Sequence, residues 1–371
     1  MASVNILFVI PTLGQGGAQR VLVNLANYLA DVSNEFQMVG IVTFSAEGRI
    51  PHHQPSAKVM LYPVGAISGS RSSGLGLAGS CIKLRRVFDQ VQPDVIVAFQ
   101  DIAIFPTILS CLGRKTALII SERQDTRFYR MAGIRRWLRW MMYRYADKVV
   151  VQTELVKGQM PSIVFDRTAI VPNPIPSLNG LVVSGANREI SFEIISVGRL
   201  EPQKNFSALI DATAIAFQDR DDWTLTIYGE GALRQTLEAQ IDSLSLQSKV
   251  KLPGITSSVF TKLAQANLFV LTSLYEGFPN VLAEASSIGL PCIAYSDVSG
   301  VQDLIDHGVN GLLLSSSQRT KEQLAEAIKY LMNDPKKREC MGKAGVEMAL
   351  RYNSDTIYKQ WVTVINDSIE K

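Results

Sequence analysis

Two blocks of short apolar segments, each alternating with helical patterns, constrain the fold of this chain most. The first block contains the segments "NILFVIP", "FQMVGIVTF", "KVMLYPV", "DVIVAFQ", "ALIISE" and "KVVVQT". These segments have no polar face, and stretches such as "AQRVLVNLANYLA" lie between them. Strands that are apolar on both faces and alternate with helices indicate a parallel sheet covered on both sides.

The second block repeats this pattern after a proline-rich stretch. Its segments are "ISFEIISVG", "WTLTIYGEG", "VKLPG", "LFVLTS", "PCIAYS" and "GLLLSS". A single core stops growing at about 250–300 residues, so a chain of 371 residues is expected to form two domains. We assign 1–175 to a first Rossmann-like domain, 176–190 to a linker, 191–354 to a second such domain, and 355–371 to a helix that crosses back to the first. The predicted fold class is α/β, with a ligand cleft between the two domains.

The composition and the cysteines favour a cytoplasmic enzyme. The chain is 47% hydrophobic and 19% charged, and its longest apolar stretch, "IAIFPTILSCLG", is too short and too broken to span a bilayer. The N-terminus has no basic region before its apolar core, which favours a first strand over a signal peptide. Scattered cysteines without a CxxC pattern predict buried, reduced thiols; they are Cys81, Cys111, Cys292 and Cys340.

The charges are unevenly distributed along the chain. Residues 1–172 contain 19 Lys+Arg and 11 Asp+Glu (19 − 11 = +8), whereas the remainder contains 18 and 23 (18 − 23 = −5). A basic first half predicts a domain that meets an anionic surface or substrate.

The stretch "LYEGFPNVLAEASSIGLP" contains two glutamates, Glu276 and Glu284, around a Gly-Phe-Pro turn. Pro279 suits the first position of a helix, which predicts Glu276 in a loop at the helix N-terminus and Glu284 about one turn inside. The first amides of such a helix favour an anion. Two carboxylates beside a phosphate-sized anion site suit a ligand that carries both hydroxyls and phosphates, such as a nucleotide sugar.

Glycine turns and basic residues follow other predicted strands. "PTLGQGGAQR" follows the first strand, and "SVGRLEPQKNF" places Arg199 and Lys204 after the first strand of the second block. Ligands of open α/β sheets bind at this carboxyl edge, where a guanidinium and an ammonium can hold a diphosphate. The first turn is not GxGxxG, so a dinucleotide site is not indicated, and solvated loops are the alternative for both stretches.

Two further turns lead to different expectations. "IYGEG" supplies Gly229 after another strand. Asp219 and Asp221 in "DRDD" match the DxD pattern of metal-using glycosyltransferases, but they fall between a helix and a strand. We interpret this pair as a solvated turn and predict no metal.

Taken together, these motifs resemble the retaining glycosyltransferases of family 4, which have the GT-B fold. The resemblance is carried by "GRLEPQKN", "YGEG", "LPG" and the E-x7-E element, and it covers essentially the whole chain. "GGAQR" and "SERQD" are similar to bacterial members that build O-antigen, capsule or exopolysaccharide units. The fold implied is two Rossmann-like domains facing each other across a cleft.

The resemblance also implies roles for individual positions. Glu284 is expected to accept hydrogen bonds from ribose hydroxyls, Glu276 to hold the donor sugar, and Arg199 with Lys204 to neutralise the diphosphate without a metal ion. The remaining donor-binding positions implied are Phe278, Asn280, Val281, Leu282, Gly16, Gly17, Gly229 and Leu252. We expect no cofactor apart from the nucleotide-diphosphate sugar itself.

The chain departs from the family pattern at one place. Many members have a histidine near the donor sugar after a middle strand of the first domain, whereas this chain has "IISERQD" there. Arg123 is therefore our candidate for an acceptor or donor-sugar contact. The histidines of this chain, His52, His53 and His307, are elsewhere, and we expect none to be catalytic.

A basic segment, "RFYRMAGIRRWLRWMMYRYADK", has the composition of an interfacial membrane helix. At helical spacing Ile134, Trp137 and Leu138 line one face, while arginines lie on another. The predicted membrane-facing residues are Arg135, Arg136, Trp137, Arg139 and Trp140. An ordinary core helix with a solvated basic face is the alternative, and nucleic acid is not indicated because no nucleic-acid-binding motif accompanies the segment.

By the family resemblance, these expectations describe a retaining, metal-independent transferase that moves a hexose or N-acetylhexosamine from a UDP-sugar to a lipid-linked saccharide. It would act as a peripheral protein on the inner face of the cytoplasmic membrane. The alternatives are a soluble GT-B transferase acting on a small sugar or sugar phosphate, and an inactive GT-B scaffold in a polysaccharide-assembly complex. Donor sugar, acceptor, linkage and oligomeric state are not specified by the sequence.

Overall fold

The computed structural model describes residues 4–14, 16–31, 35–44, 53–65, 74–129, 133–176 and 191–370. The chain divides into two compact units. Unit 1 comprises Met1–Pro174 and Asp355–Lys371, and unit 2 comprises Ile175–Ser354. The predicted linker lies outside the described residues after Pro176.

Unit 1 contains a seven-stranded sheet in which every pair of neighbouring strands is parallel. Its strands are β1 (Val4–Ile10), β2 (Phe36–Thr43), β3 (Val59–Pro63), β4 (Val95–Phe99), β5 (Ala117–Ser121), β6 (Lys148–Val151) and β7 (Thr168–Ile170). Their order in the sheet is β3-β2-β1-β4-β5-β6-β7. The last and shortest strand, β7, was not predicted from the sequence, because three residues carry too little pattern.

Helices cover both faces of this sheet. They are α1 (Gly17–Asp31), α2 (Gly74–Val91), α3 (Asp101–Cys111), α4 (Ile134–Tyr143), α5 (Glu154–Lys157) and α6 (Ser162–Phe165). Successive side chains of β1 belong to different cores: Phe8 packs with Leu22 of α1 on one face, whereas Leu7 and Val9 pack with Phe88 of α2 on the other. Two buried faces explain why these strands have no polar side.

The C-terminal helix of the chain packs on unit 1. Its largest side chain, Trp361, is fully buried and stacks on Phe99 of β4, with ring centroids 5.9 Å apart. Ile357 and Ile365, on the same face of this helix, are buried in the same core. The helix therefore completes one face of the first sheet.

Unit 2 contains a six-stranded parallel sheet. Its strands are β8 (Phe192–Val197), β9 (Trp223–Tyr228), β10 (Val250–Gly254), β11 (Leu268–Leu271), β12 (Cys292–Tyr295) and β13 (Gly311–Leu314), in the order β10-β9-β8-β11-β12-β13. Its helices are α7 (Phe206–Ala216), α8 (Arg234–Ser243), α9 (Val259–Ala264), α10 (Asn280–Ser287), α11 (Val301–Leu304), α12 (Lys321–Asn333) and α13 (Pro335–Ala349); the C-terminal helix of the chain is α14 (Ser354–Ile369).

The two strand orders share one topological feature. In each unit the first strand lies beside the fourth, β1 beside β4 and β8 beside β11, so the chain fills one side of the sheet and then the other. The loops that leave the carboxyl ends of these two strands run in opposite directions and open a crevice, which is where ligands bind in open parallel sheets. The predicted fold class, α/β with two Rossmann-like domains, is confirmed, and the predicted strands all lie within the two sheets.

In the described part of the chain, no helix has the length and apolar character that crossing a membrane requires.

We predict that Trp361→Ala lowers the free energy of unfolding of unit 1 by about 3–5 kcal/mol, because it leaves a cavity between α14 and β4. Trp361→Phe should cost much less, since the indole Nε1 has no hydrogen-bond partner among the described residues. Calorimetric unfolding of the full chain measures both.

Trp223 provides the comparison in unit 2. Its Nε1 donates to the Arg220 carbonyl oxygen at 3.0 Å, so Trp223→Phe removes a hydrogen bond as well as volume and should cost about 1 kcal/mol more than Trp361→Phe. A larger loss for Trp361→Phe than for Trp223→Phe would contradict this account of the packing of α14.

Candidate functional site

The crevice of unit 2 brings together residues from the carboxyl ends of β8 and β11. Lys204 follows β8 and Glu276 follows β11, and Lys204 Nζ donates to Glu276 Oε1 at 2.6 Å. This ion pair joins the two loops that diverge at the crevice, although the residues are 72 positions apart. The structure therefore unites two of the residues that the sequence assigned to one site.

Further hydrogen bonds fix Glu276, whose residue is only 9% exposed. Ser273 Oγ donates to Glu276 Oε1 at 2.6 Å. The loop is also tied to its neighbour, because Gln203 Nε2 donates to the Tyr275 carbonyl oxygen at 2.7 Å and the Leu274 amide donates to the Gln203 carbonyl oxygen at 2.8 Å. Burying a carboxylate is tolerable only when it is paired and hydrogen-bonded, and both conditions are met here.

Arg319 braces this loop from the segment after β13. Its Nη1 donates to the Ser273 carbonyl oxygen at 3.1 Å and its Nη2 to Asp297 Oδ1 at 2.5 Å, while the guanidinium carbon lies 4.4 Å from the centre of the Tyr295 ring. No sequence motif identified Arg319 as a residue of this site. Its position could have indicated a role, because Arg319 is a basic residue shortly after β13. The residues after β13 lie at the carboxyl edge of the sheet, where Glu276 and Lys204 also lie.

Arg199 differs from Lys204 in its surroundings. Its side chain is largely exposed, and its Nη1 contacts Glu201 Oε1 at 2.9 Å. Each predicted diphosphate-binding cation therefore has a carboxylate partner in this structure. A surface pair of this kind is worth at most about 1 kcal/mol, so Arg199 can exchange Glu201 for a more strongly charged ligand.

Glu284 lies on α10, which directly follows the loop that contains Glu276. It is the fifth residue of the helix and is 3% exposed. The helix begins at Asn280, one residue later than predicted, with Pro279 preceding it. The Asn280 amide is also not open to a ligand as expected, because it donates to the Phe278 carbonyl oxygen at 2.9 Å.

The other predicted contacts on α10 are restricted to the main chain. The side chains of Phe278 and Leu282 are buried in the hydrophobic core of unit 2, and that of Val281 is half-buried against it. A ligand at this end of the helix can thus meet their backbone but not the side chains of Phe278 and Leu282.

Gly229 and Leu252 have structural roles that the sequence did not reveal. A Cβ atom on Gly229 would lie 1.8 Å from the Gly198 carbonyl oxygen, so glycine is needed where the loop after β9 crosses the loop after β8. The Leu252 carbonyl oxygen accepts a hydrogen bond from Arg234 Nη1 at 3.1 Å. Contact of either residue with a nucleotide stays a prediction.

In unit 1, the glycine turn lies at the carboxyl end of β1, as predicted. Helix α1 begins at Gly17, and the Arg20 amide donates to the Gly16 carbonyl oxygen at 3.2 Å. A Cβ atom on Gly16 would meet only the flexible side chain of Gln19. Contact of Gly16 and Gly17 with phosphate stays a prediction.

Arg123 follows β5 and is buried, with 8% of the residue exposed. Its Nη1 donates to Asn173 Oδ1 at 2.8 Å, and its guanidinium carbon lies 4.5 Å from the centre of the Phe99 ring. Nε and Nη2 have no hydrogen-bond partner among the described residues. Burial lowers the pKa of Arg123 to about 9, because only Glu122 opposes the loss of solvation. Contact of this arginine with a substrate is not tested by the geometry and stays a prediction.

The prediction for Arg139 was wrong. Arg139 is fully buried, and its Nη2 lies within 3.0 Å of four oxygen atoms, including Glu122 Oε2 at 2.7 Å and Asp101 Oδ1 at 2.6 Å. The tyrosine hydroxyls of Tyr129 and Tyr143 supply the other two oxygens. Asp101 and Glu122 follow neighbouring strands, and their carboxylates need a cation between them. Arg139 supplies that cation, so its side chain points into unit 1 and does not face a membrane.

The pKa values of this cluster reflect its burial. For Arg139, burial lowers the pKa, but the charge of Glu122 and the neighbouring Tyr143, Tyr129 and Asp101 outweigh it, so the net direction is upward. Burial and the Glu122 charge raise the pKa of Asp101, although Arg139 opposes this shift. The cluster thus holds Arg139 in its charged form.

The exposed face of α4 includes Arg136 and Trp137, two of the residues predicted to face a membrane. Trp137 is 54% exposed, and Leu138 and Arg136 beside it are exposed as well. Trp140 is half-buried and packs edge-on against Tyr143, with ring centroids 5.3 Å apart, so it is only partly available. The side chain of Arg135 lies outside the described residues.

The remaining candidates are peripheral. His307 Nδ1 accepts a hydrogen bond from the Leu313 amide at 3.0 Å, His53 has a partner, and His52 lies outside the described residues. Asp219 and Asp221 are exposed in the turn before β9, at the opposite edge from the site.

Cys111 and Cys292 are buried as predicted, but Cys340 is exposed and Cys81 partly exposed.

In the parts of the chain that the structure describes, no three His, Cys, Asp or Glu side chains are grouped so that they could hold a metal ion. The prediction of a metal-independent reaction is not tested by this finding.

Two protein-family models match the chain. Residues 15–177 match the model described as Glycosyltransferase Family 4, and residues 184–348 match the model described as Glycosyl transferases group 1. The two matches together cover most of both units and leave out α14.

Individual proteins are similar over different lengths. An N-acetylgalactosaminyltransferase of Campylobacter jejuni, which acts on a diphospho-undecaprenol-linked saccharide according to its name, is 27% identical over 97% of this chain and 98% of its own length. An exopolysaccharide phosphotransferase of Streptomyces coelicolor is 29% identical over 79% of this chain, and the chain spans only 30% of that protein.

Among solved structures, Anabaena HepE in complex with UDP-glucose has a similar fold. The TM-score is 0.79, the identity is 21%, and the match covers 98% of this chain and 99% of that one.

We predict that Arg139→Ala lowers the free energy of unfolding by about 3–5 kcal/mol, because it leaves Glu122 buried without its partner. Arg136→Ala, on the exposed face of the same helix, should change it by less than about 0.5 kcal/mol. Calorimetric unfolding at neutral pH measures both. The double variant Arg139→Met/Glu122→Gln should recover part of the loss, and equal effects of the two alanine variants would contradict the internal position of Arg139.

Proposed function

Because the chain belongs to the family 4 glycosyltransferases and has the GT-B fold, we propose that it transfers a hexose or N-acetylhexosamine from a UDP-sugar to a lipid-linked saccharide. We further propose that the anomeric configuration is retained and that no metal ion takes part. The proposed process is the synthesis of a bacterial surface polysaccharide such as O-antigen, capsule or exopolysaccharide.

The observation that carries this proposal is the Lys204–Glu276 ion pair at the crevice of unit 2. It places a cation and a carboxylate at 2.6 Å from each other on the edge where parallel sheets bind ligands. Lysine has three N–H donors, so Lys204 can keep Glu276 and still donate to a phosphate oxygen. Glu276 retains Oε2, whose one described contact, Gln203 Nε2, lies at 3.5 Å, for a sugar hydroxyl.

The proposed reaction follows from where charge develops. Cleavage of the sugar–phosphate bond leaves an oxocarbenium-like carbon and a diphosphate with growing negative charge. Lys204, with Arg199 released from Glu201, stabilises that charge, and fixed charges in a partly buried site act strongly because they need not reorganise. The leaving diphosphate accepts the proton of the attacking acceptor hydroxyl, so that attack occurs on the face from which the diphosphate departs.

The nucleotide is assigned from Glu284 and from the comparisons. A buried carboxylate one turn into α10 suits the two adjacent hydroxyls of a ribose, which donate to its two oxygens. Anabaena HepE, which has a similar fold, is described in complex with UDP-glucose, and this supports a uridine nucleotide as the ligand here.

The acceptor and the membrane are assigned from α4 and from one relative. The exposed Trp137 and Leu138 stand beside the basic Arg136, a combination that binds the interface of an anionic bilayer. The similar Campylobacter jejuni enzyme is named for a diphospho-undecaprenol-linked substrate. We therefore propose a peripheral position on the inner face of the cytoplasmic membrane.

Two other functions lead to different measurable behaviour. A transferase acting on a small sugar or sugar phosphate would bind UDP but not membranes. An inactive scaffold would bind neither UDP nor a UDP-sugar, and the site with Lys204, Glu276 and Glu284 argues against it.

We predict selective binding of UDP over GDP and ADP without divalent ions, measured by calorimetry. Glu284→Ala should weaken UDP binding about ten- to hundredfold, because hydrogen bonds to a charged group contribute about 1.5–3 kcal/mol. Glu276→Ala should leave UDP affinity within about threefold but remove any extra affinity of the UDP-sugar over UDP. Glu326→Ala, an exposed glutamate on α12, is the matched control and should change neither affinity.

Two results would contradict the proposal. One is the absence of UDP binding, or binding only with added metal. The other is the same UDP affinity for Glu284→Ala and for the Glu326→Ala control.

We also predict sedimentation of the protein with phosphatidylcholine vesicles that contain phosphatidylglycerol, and less with pure phosphatidylcholine. Arg136→Glu combined with Trp137→Ala should reduce binding more than fivefold, since each basic residue near an anionic surface contributes about 1 kcal/mol. Tyr330→Ala, an exposed aromatic on α12 of unit 2, is the control. If wild type stays in the supernatant, the small-sugar transferase replaces the membrane enzyme as the better proposal.

A further inference from the structure

The crevice of unit 1, between β1 and β4, has the same topological origin as the site in unit 2. Gly14 and Gly16 follow β1, and Gln100 follows β4 directly. Because ligands bind where neighbouring loops diverge at the carboxyl ends of parallel strands, Gln100 lies at a position suited to ligand contact. Neither the sequence motifs nor the family resemblance assigns a role to this residue.

The backbone of Gln100 is strained. Its φ is 68° and its ψ is 148°, a combination adopted almost only by glycine because a Cβ atom is crowded there. The turn itself is needed, since the Gln100 carbonyl oxygen accepts from the Ala103 amide at 3.0 Å and starts α3. A glycine would form this turn without strain, so the side chain at this position is not explained by the fold.

The side-chain amide of Gln100 makes no hydrogen bond with any described residue, and it does not cap α3. The residue is half-buried, so the amide is neither packed in the core nor fully solvated. Residues with rarely populated backbone conformations are frequent at ligand-binding sites, where the surrounding structure stabilises the strained conformation.

The neighbouring strand supplies an independent observation. Phe99, the residue before Gln100, pairs in register with Ser121 of β5, and Arg123 is the second residue after Ser121. The guanidinium of Arg123 lies over the Phe99 ring, the residue is more than nine-tenths buried, and its Nε and Nη2 have no partner in the described part of the chain. Asp101, the next residue after Gln100, is fixed by Arg139 and is partly exposed.

We propose that the side-chain amide of Gln100 binds a hydroxyl group of a saccharide substrate at the β1/β4 crevice, with Arg123 beside it. An amide offers a donor and an acceptor in one plane, which matches a hydroxyl group that both donates and accepts. A neutral amide is a poor partner for a phosphate by comparison, because a phosphate is bound best by charged donors. The inference rests on the proposed glycosyltransferase function, and the hydroxyl belongs either to the nucleotide sugar or to the acceptor saccharide.

The test uses Gln100→Gly in the whole 371-residue chain. Glycine accepts the backbone conformation, so the melting temperature should equal or exceed that of wild type. The affinity for the sugar should fall about three- to tenfold, the range expected for one or two neutral hydrogen bonds. The variant thus separates a ligand contact from a structural role, because only a structural role would lower the melting temperature.

Gln92→Gly is a matched control. Gln92 also has a positive φ of 49°, but it lies at the amino end of β4, and its amide donates to the Asp89 carbonyl oxygen at 2.9 Å. The same substitution of the same residue type away from the crevice should leave sugar binding unchanged.

Two measurements distinguish the source of the hydroxyl. Calorimetry compares UDP with UDP-glucose, UDP-galactose, UDP-N-acetylglucosamine and UDP-N-acetylgalactosamine; a loss confined to the UDP-sugars assigns Gln100 to the donor sugar. Saturation-transfer NMR with the methyl glycosides of the same four sugars, recorded with UDP present, assigns it to the acceptor if the signals fall in Gln100→Gly alone.

UDP binding to wild type tests the proposed function, whereas the difference between Gln100→Gly and Gln92→Gly tests this inference. The inference is overturned if Gln100→Gly binds every UDP-sugar and glycoside as the control does, or if its melting temperature falls below that of wild type.

Discussion

The ion pair between Lys204 and Glu276 determines how the crevice of unit 2 is built. The loops after β8 and β11 diverge because the chain reverses direction across the sheet at this point, and without a bridge nothing in the topology would hold them together. The pair fixes both loops together with Ser273 and Gln203. Arg319 also stabilises the loop after β11, because it donates to the Ser273 carbonyl oxygen. The same contacts that stabilise the crevice therefore also set the positions of the charges offered to a ligand.

Unit 1 also has a cluster of ion pairs at the carboxyl ends of its strands. Asp101 and Glu122 follow neighbouring strands, and Arg139 of α4 lies between them, fully buried. Removing the cation would leave uncompensated charge in the interior, so this cluster fixes α4 against the sheet. Fixing the inner face of α4 determines which of its residues remain outside, and these include Trp137 and Leu138.

Much of the architecture could be predicted because both faces of each sheet are buried. Strands with two buried faces read as apolar runs, and such runs located the strands of both units except β7, which is only three residues long. Glu276 and Lys204 could be assigned to one edge of the sheet because each follows the end of a strand, and Glu284 could be assigned to the first turns of α10 because Pro279 marks the start of that helix. The burial of Arg139 could not be predicted from periodicity, because its partners Glu122 and Asp101 are 17 and 38 positions away. Gly229 was assigned to donor binding, but its second role, where two loops cross closely enough to require a glycine, could not be predicted from the sequence.

The central claim is that the crevice of unit 2 holds the nucleotide diphosphate of the donor. A crystal structure of the protein with UDP, grown without divalent ions, tests it most directly. The account predicts the ribose hydroxyls on Glu284 and the diphosphate within hydrogen-bonding distance of Lys204 and Arg199, with Arg199 no longer paired to Glu201. UDP bound elsewhere, or a diphosphate that contacts neither cation while the Lys204–Glu276 and Arg199–Glu201 pairs stay closed, would contradict the account.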